Sequence, residues 1–157
     1  MSRVSTTRAT RHLQAPRSRV YAALTDPVAI TRWKAPTNMT CSLLEFDGTR
    51  FRIALTYDAP ERAGKTTAHT DVYRGRFLEL VPDRKVVEVD EFETTDPELT
   101  GPMTITITLE DTDSGGTELT AVHEGLPAGV APEDNEAGWR ESLDRLAALV
   151  EPDTSSS

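Results

Sequence analysis

The stretch EAGWRESLDRLAALVE, residues 136–151, decides the fold because it predicts the longest helix of the chain. Four apolar residues recur at steps of four, three and four and therefore share one stripe of an α-helix. They are Trp139, Leu143, Leu146 and Val150. Almost every segment upstream has the pattern of a strand, and a helix of this length must bury its apolar stripe. A sheet curved around the helix is the simplest arrangement that does so.

The size and composition predict a folded protein. A chain of 157 residues with 37% hydrophobic residues is long enough to bury a core. We expect a single domain over residues 1–157, with an ordered core over about 8–151 and a flexible tail over 152–157. A net charge of −9 argues against nucleic-acid binding, because no basic patch gathers the 17 Lys and Arg residues.

The residue inventory also excludes several kinds of site. Cys41 is the single cysteine and the three histidines are scattered, so neither a disulfide framework nor a metal site is predicted. No phosphate-binding loop, dinucleotide glycine pattern or nucleophile elbow occurs, and no cofactor is predicted. No apolar run approaches the roughly 20 residues of a membrane span, and the polar start of the chain lacks an apolar signal segment. We therefore expect a cytoplasmic protein.

The first part of the chain predicts one strand followed by two short helices. Residues 8–15 have the polar character of an edge strand. Pro16 is a suitable first residue for a helix. Asp26 and Pro27 predict a second helix start, with Asp26 as the N-cap and Pro27 at the first helical position.

Six further strands are predicted before the long helix, because apolar and polar residues alternate along them. Short turns such as Asp47-Gly48 join the strands into an antiparallel meander. The prediction is an α+β fold, in which an antiparallel curved sheet of about seven strands surrounds a long C-terminal helix. The six strands cover residues 39–46, 50–57, 66–80, 85–93, 103–109 and 117–124.

Several segments resemble a known family. Residues 11–33, RHLQAPRSRVYAALTDPVAITRW, resemble the opening of the activator of heat-shock-protein-90 ATPase homologues. Gly116-Thr117, His123 followed by Gly125-Leu126-Pro127, and Gly138-Trp139 are similar as well. The resemblance covers residues 8–151 in order and spacing. It places the chain in the wider START-related, polyketide-cyclase-like (SRPBCC) superfamily.

The resemblance implies a helix-grip fold with a cavity between the sheet and the last helix. Superfamily members bind hydrophobic small molecules, which implies a cytoplasmic binding protein for a hydrophobic or aromatic, lipid- or polyketide-like molecule. Two alternatives stay open. One is a polyketide cyclase or hydrolase type of enzyme that uses His123 or Asp90, and the other is a partner protein that activates a chaperone ATPase. A homodimer is a further possibility at the level of the family.

His123 and Asp90 are the candidate acid/base residues. His123 shares a strand face with two apolar residues and lies just before the loop into the last helix, so a general acid/base role competes with a structural role in which it bonds the loop backbone. Asp90 and Glu88 occupy a strand where relatives often carry large apolar residues. If Asp90 points inward, burial raises its pKa. If Val87 and Val89 point inward instead, Asp90 faces water, and periodicity does not decide between the two.

A second polar set lies on the predicted strand over residues 66–80. His69, Asp71 and Tyr73 alternate and therefore share a face. They could form a proton relay, but a solvated polar face is the favoured interpretation.

Aromatic residues, Met and Leu supply the predicted cavity wall, because such side chains offer contact area without requiring hydrogen bonds. A nucleophilic role for Cys41 is disfavoured, since the sequence places no base beside it. The predicted ligand-binding residues are Trp33, Phe51, Tyr57, Phe92, Met103, His123, Trp139 and Leu143.

Overall fold

A computed structural model describes residues 5–35, 39–57 and 70–151. Ten elements follow one another in the described residues. The strands are β1 (Ser5–Leu13), β2 (Met39–Phe46), β3 (Arg50–Tyr57), β4 (Thr70–Val81), β5 (Lys85–Phe92), β6 (Met103–Asp111) and β7 (Thr117–Leu126). The helices are α1 (Arg17–Thr25), α2 (Pro27–Trp33) and α3 (Pro132–Val150).

The strands form one antiparallel sheet in the order β1-β7-β6-β5-β4-β3-β2. Strands β2 to β7 pair with their neighbours along the chain, as hairpin-length connections require. Strand β1 adds to the far side of β7, with Ala9 opposite Ala121. The predicted α+β meander around a C-terminal helix is confirmed, and the architecture is the helix-grip fold.

The last helix begins at Pro132, four residues before the predicted start. Proline suits the first helical position because its missing N–H would have no partner there, and Glu133 and Asp134 complement the helix dipole in the same turn. The helix buries the predicted stripe against the sheet. Leu143, Leu146 and Val150 are almost completely buried, whereas Trp139 is half-buried.

The two short helices cover one end of the sheet. The Asp26 side chain accepts a hydrogen bond of 2.8 Å from the backbone N–H of Ala29, which confirms the predicted N-cap. Pro16 differs from the prediction, because it is the N-cap residue of α1 rather than its first helical residue. The indole N–H of Trp33 donates to the Ala23 carbonyl at 2.9 Å and so ties α2 to α1.

Strands β6 and β7 alternate as predicted and supply much of the core. Strand β5 presents Val86, Glu88 and Asp90 to the interior, all of them buried. Its inner face therefore carries two carboxyl groups instead of Val87 and Val89. Of the two interpretations that the sequence left open, the inward-facing Asp90 is the one observed.

Candidate functional site

A cavity of about 530 Å³ lies between the inner face of the sheet and the first half of α3. The end of α2 and the loop over residues 129–131 complete it. Its floor is formed by buried residues such as Ile105 and Asp90, and its rim by exposed residues such as Ala131 and Asp134. The hollow therefore connects the protein interior with the surface.

Aromatic rings form one side of the cavity. Trp33 and Trp139 are tilted against each other with ring centroids 6.2 Å apart. The ring of His123 meets Trp139 edge-on at 6.0 Å. Phe92 meets Tyr73 edge-on at 6.4 Å on the opposite side. These offset arrangements are the ones that aromatic quadrupoles favour. The rings border the cavity and do not fill it.

The predicted wall residues divide into three groups. Trp33, Phe92, Met103, His123 and Trp139 line the cavity. Phe51 and Leu143 do not line it. Phe51 packs beneath it against Phe77, with ring centroids 5.2 Å apart, and Leu143 is 1% exposed in the core. The side chain of Tyr57 lies outside the described residues, as does His69. Whether any of these residues touches a ligand stays a prediction.

A buried ion pair lies beside the cavity. Lys34 Nζ donates to both carboxylate oxygens of Glu88, at 3.1 and 2.8 Å, and the two side chains are 7% and 3% exposed. Burial alone lowers the pKa of Lys34. The charges of Glu88 and Asp90 raise it by more than burial lowers it, so the net shift is upward. Burial raises the pKa of Glu88, but the charge of Lys34 and the hydrogen bonds from Asp90 and Lys34 together outweigh burial, and the net shift is downward. The pair is therefore ionised on both sides.

Asp90 is the second carboxyl group of the cluster. Burial and the adjacent charge of Glu88, to which it is hydrogen-bonded, raise the pKa of Asp90 well above its ordinary value. Two carboxyl groups in one buried site cannot both ionise cheaply, and Asp90 is the one whose protonated form is favoured. Its Oδ1 atom has no hydrogen-bond partner among the described residues. A Cβ at Gly75, the residue paired with Asp90 on β4, would collide with this oxygen and with the Phe51 ring.

The polar face of β4 is buried, which contradicts the expectation of a solvated face. Asp71 is 1% exposed and Tyr73 is 6% exposed, and both line the cavity. Burial, followed by the charge of Asp90, raises the pKa of Tyr73 well above its ordinary value, and the side chain stays a neutral phenol. The sheet curls over this strand, and its inner face therefore becomes a wall of the cavity.

His123 is a buried neutral base. Burial lowers its pKa to about 4, a shift that Lys34 increases and Glu88 partly opposes. The side-chain amide of Asn135 donates to Nδ1 at 3.2 Å and to Thr7 Oγ1 at 2.8 Å, which leaves the ring proton on Nε2. Nε2 has no partner among the described residues. The structural role predicted for His123 has the loop backbone as its hydrogen-bond partner. This prediction is wrong, because the partner is a side chain of α3, that of Asn135.

The cavity, the curved sheet and the closing helix agree with the outcome of comparison with known proteins. The family model for activator of Hsp90 ATPase homolog 1-like protein matches residues 14–151. The chain belongs to this family. All the cavity residues named above lie inside the matched region. No curated protein shows significant sequence similarity to the chain.

Solved structures of similar proteins share the fold of the Hsp90 ATPase activator homologues. A protein of Chromobacterium violaceum is 38% identical, with a TM-score of 0.83, and the alignment covers 94% of this chain and 98% of that one. An AHSA1 protein of Silicibacter pomeroyi is 16% identical, with a TM-score of 0.75 and coverage of 92% and 96%. A Mesorhizobium loti protein is 22% identical, with a TM-score of 0.67 and coverage of 92% and 96%. The last two comparisons concern the fold alone.

Several residues of this family member's cavity are not predicted from the sequence, and Lys34 and Ser142 are two of them. Two signals could have indicated Lys34. An inward-facing Glu88 requires a cation, and Lys34 directly follows Trp33, a predicted residue of the cavity wall. Ser142 was also missed, and its hydroxyl donates to the Lys34 carbonyl at 3.1 Å.

Within the described ranges no helix is long and apolar enough to cross a membrane.

Proposed function

We propose that this protein binds a small, largely apolar molecule in the cavity between its sheet and α3. The observation that carries the proposal is the cavity itself. Its volume of about 530 Å³ lies within the range of roughly 300–1,000 Å³ that is usual for ligand pockets. Membership of a family within a ligand-binding superfamily supports the same proposal.

The lining supports a ligand with aromatic or extended apolar surface. Trp33, Trp139, Phe92 and Met103 present rings and a thioether, which give contact area with little need for hydrogen bonds. A lipid- or polyketide-like molecule has this character. The exposed rim at residues 129–131 supplies a route by which such a molecule reaches the buried floor.

A thermal-shift screen with flavonoid-, polyketide- and fatty-acid-like compounds tests the proposal. A ligand that binds only the folded state raises the melting temperature, and the shift grows with ligand concentration. We expect at least one class to do so. Absence of stabilisation by every class, confirmed by calorimetry, would contradict the proposal.

Matched variants on α3 locate the binding. Ala137→Phe introduces a ring at the cavity, and Ala148→Phe introduces the same ring on an exposed position of α3 that does not line it. We expect Ala137→Phe to weaken the ligand-induced shift and Ala148→Phe to leave it unchanged. Equal effects of the two variants would mean that the compound binds elsewhere.

One observation favours a second candidate, a cyclase or hydrolase type of enzyme. Asp90 is a carboxyl group in the cavity wall, and its raised pKa favours the protonated state that a general acid requires. His123 suits the role less, because its Nδ1 is occupied by Asn135 and its pKa of about 4 keeps it neutral. Asp90→Asn keeps the shape and removes the acid. Loss of turnover of a polyketide-like substrate in this variant, with retained binding, would favour the enzyme.

The remaining expectations stay predictions. They are the single domain over residues 1–157, the cytoplasmic location, the possible homodimer and the chaperone partner. The last rests on the family description alone. Fractionation tests the location, size-exclusion chromatography tests the homodimer, and a pull-down with an ATPase assay tests the chaperone partner.

A further inference from the structure

Tyr73 offers a hydroxyl group that the described protein does not use. The residue is 6% exposed and lines the cavity, and its hydroxyl makes no hydrogen bond within the part of the chain that the structure describes. The Tyr73 side chain borders the cavity, and a bound molecule that displaced water from its hydroxyl without offering a polar atom would cost about 1–3 kcal/mol. A cavity wall that carries such a group is better satisfied when a bound molecule brings a polar atom to it.

The charges of the cavity oppose an anionic ligand. Among the described lining residues Lys34 is the one cation, and both oxygens of Glu88 already hold its ammonium group. The Lys34 ammonium also lies 5.6 Å from the Trp33 ring centroid and 5.3 Å from that of Phe51, and is thus enclosed by side chains. A carboxylate that entered would lose its water without gaining a cation, and the carboxylate of Glu88 would repel it.

The other polar groups of the wall that the pKa shifts describe are neutral. At neutral pH Tyr73 is a phenol and His123 an uncharged imidazole, and the raised pKa of Asp90 favours its uncharged carboxylic acid form. Groups of this kind exchange hydrogen bonds with hydroxyl and carbonyl oxygens at little desolvation cost. A site built to hydrogen-bond a hydroxyl discriminates strongly against the analogue that lacks it.

We propose that the cavity selects an uncharged aromatic molecule that carries a hydroxyl or carbonyl oxygen, and that this oxygen meets the hydroxyl of Tyr73. The inference rests on the proposed function and names its ligand class. It separates phenol- and enol-like molecules from fatty acids, which share the apolar body but end in a carboxylate.

Three probes of one shape test the inference: trans-stilbene, p-hydroxystilbene and p-carboxystilbene. Stilbene fluorescence rises when the surroundings restrict rotation, so each dissociation constant follows from titrating a trace of probe with protein at neutral pH. We expect p-hydroxystilbene to bind about tenfold or more tightly than trans-stilbene, and p-carboxystilbene to bind more weakly than p-hydroxystilbene by a similar factor.

Tyr73→Phe removes the hydroxyl and keeps the ring. We expect this variant to bind p-hydroxystilbene and trans-stilbene within about threefold of each other, with trans-stilbene affinity unchanged. Tyr21→Phe is the matched control, because Tyr21 lies on α1 and does not line the cavity. It should keep the full preference.

Each outcome bears on one proposal or both. Equal binding of trans-stilbene and p-hydroxystilbene, tight binding of p-carboxystilbene, or an unchanged preference in Tyr73→Phe would overturn the inference and leave the binding function intact. Failure of all three probes to bind would overturn the inference and, together with a negative thermal-shift screen, the binding function as well. A folded Tyr73→Phe variant is verified by its circular dichroism and melting temperature.

Discussion

The two halves of α3 do different work against the same sheet. In residues 143–150 the inward positions are Leu143, Leu146, Ala147 and Val150, each no more than 3% exposed. In residues 132–142 the side chains are smaller or polar, Trp139 is half-buried, and the cavity lies beneath them. The comparison teaches that one helix can anchor the core with one end and roof a binding space with the other.

The wall beneath the first half also differs chemically from the core beneath the second. It contains the Lys34–Glu88 ion pair and Asp90, whereas the second half faces aliphatic side chains. Buried charges contribute little net stability compared with apolar packing. We therefore expect packing against the second half of α3 to contribute more to the free energy of unfolding than packing against the first half, where the interior is polar.

The largest expected effect tests the polar wall. Lys34→Met leaves Glu88 buried without its cation, and the free energy of unfolding should fall by about 3–5 kcal/mol in urea denaturation. Replacing both partners, in Lys34→Met/Glu88→Met, should recover most of the loss because no unpaired charge remains. If the double variant is as unstable as the single one, the ion pair itself stabilises the fold. That result would contradict the expectation that the polar wall contributes little to stability.

The next effect compares the two halves directly. Leu146→Ala removes a fully buried side chain from the second half and should lower the free energy of unfolding by about 2–5 kcal/mol. Trp139→Ala removes a larger side chain from the first half but should destabilise less, since that ring borders a hollow. It should weaken ligand binding, whereas Leu146→Ala should not. A larger loss of stability for Trp139→Ala would contradict the distinction.

His123 gives the polar wall a pH dependence. Its pKa falls from 6.5 to about 4 on folding, so between these values the unfolded chain binds more protons than the folded protein. The contribution of His123 to the free energy of unfolding is full above pH 6.5 and is lost as the pH falls toward 4, a change of about 3 kcal/mol. His123→Phe should lessen the decline in unfolding free energy over this window. An identical decline in both proteins would contradict the assignment.

Gly75 tests the close contact behind the wall. In Gly75→Ala the new methyl group meets Asp90 Oδ1 and the Phe51 ring, and crowding of this kind lowers the free energy of unfolding by about 1–3 kcal/mol. Gly75→Ala/Asp90→Ala makes room and should recover part of the loss. No recovery would place the strain at Phe51 instead.

The smallest effect has the opposite sign. Folding raises the pKa of Asp90 above 3.8. The contribution of Asp90 to the free energy of unfolding is therefore full below pH 3.8 and is lost as the pH rises toward the pKa of the folded state. Asp90→Asn has no proton to lose and can still donate to Glu88. We expect the variant to be more stable than the wild type at neutral pH by about 1 kcal/mol, with the difference shrinking in acid. A less stable variant at neutral pH would show that Asp90 is ionised there.

The sequence predicts the fold better than the site, and particular residues show why. Residues 103–109 and the stripe from Trp139 to Val150 follow one period throughout, so their inner faces were identified correctly. On β5, valines alternate with carboxyl groups, and either face is apolar enough to be buried. The choice depends on Lys34, which is distant in sequence, and on Gly75, whose missing side chain leaves room for Asp90. Such tertiary causes leave no local pattern.

The order of the strands has a consequence for synthesis. Among the described strands β1 leaves the ribosome first, yet its partner β7 is made last. The edge of β1 must wait unpaired while most of the chain is translated, and closing the sheet joins two segments far apart in sequence. The polar character of Ser5–Leu13, which contains three Thr and two Arg residues, suits a segment that has to remain in water until its partner strand is made.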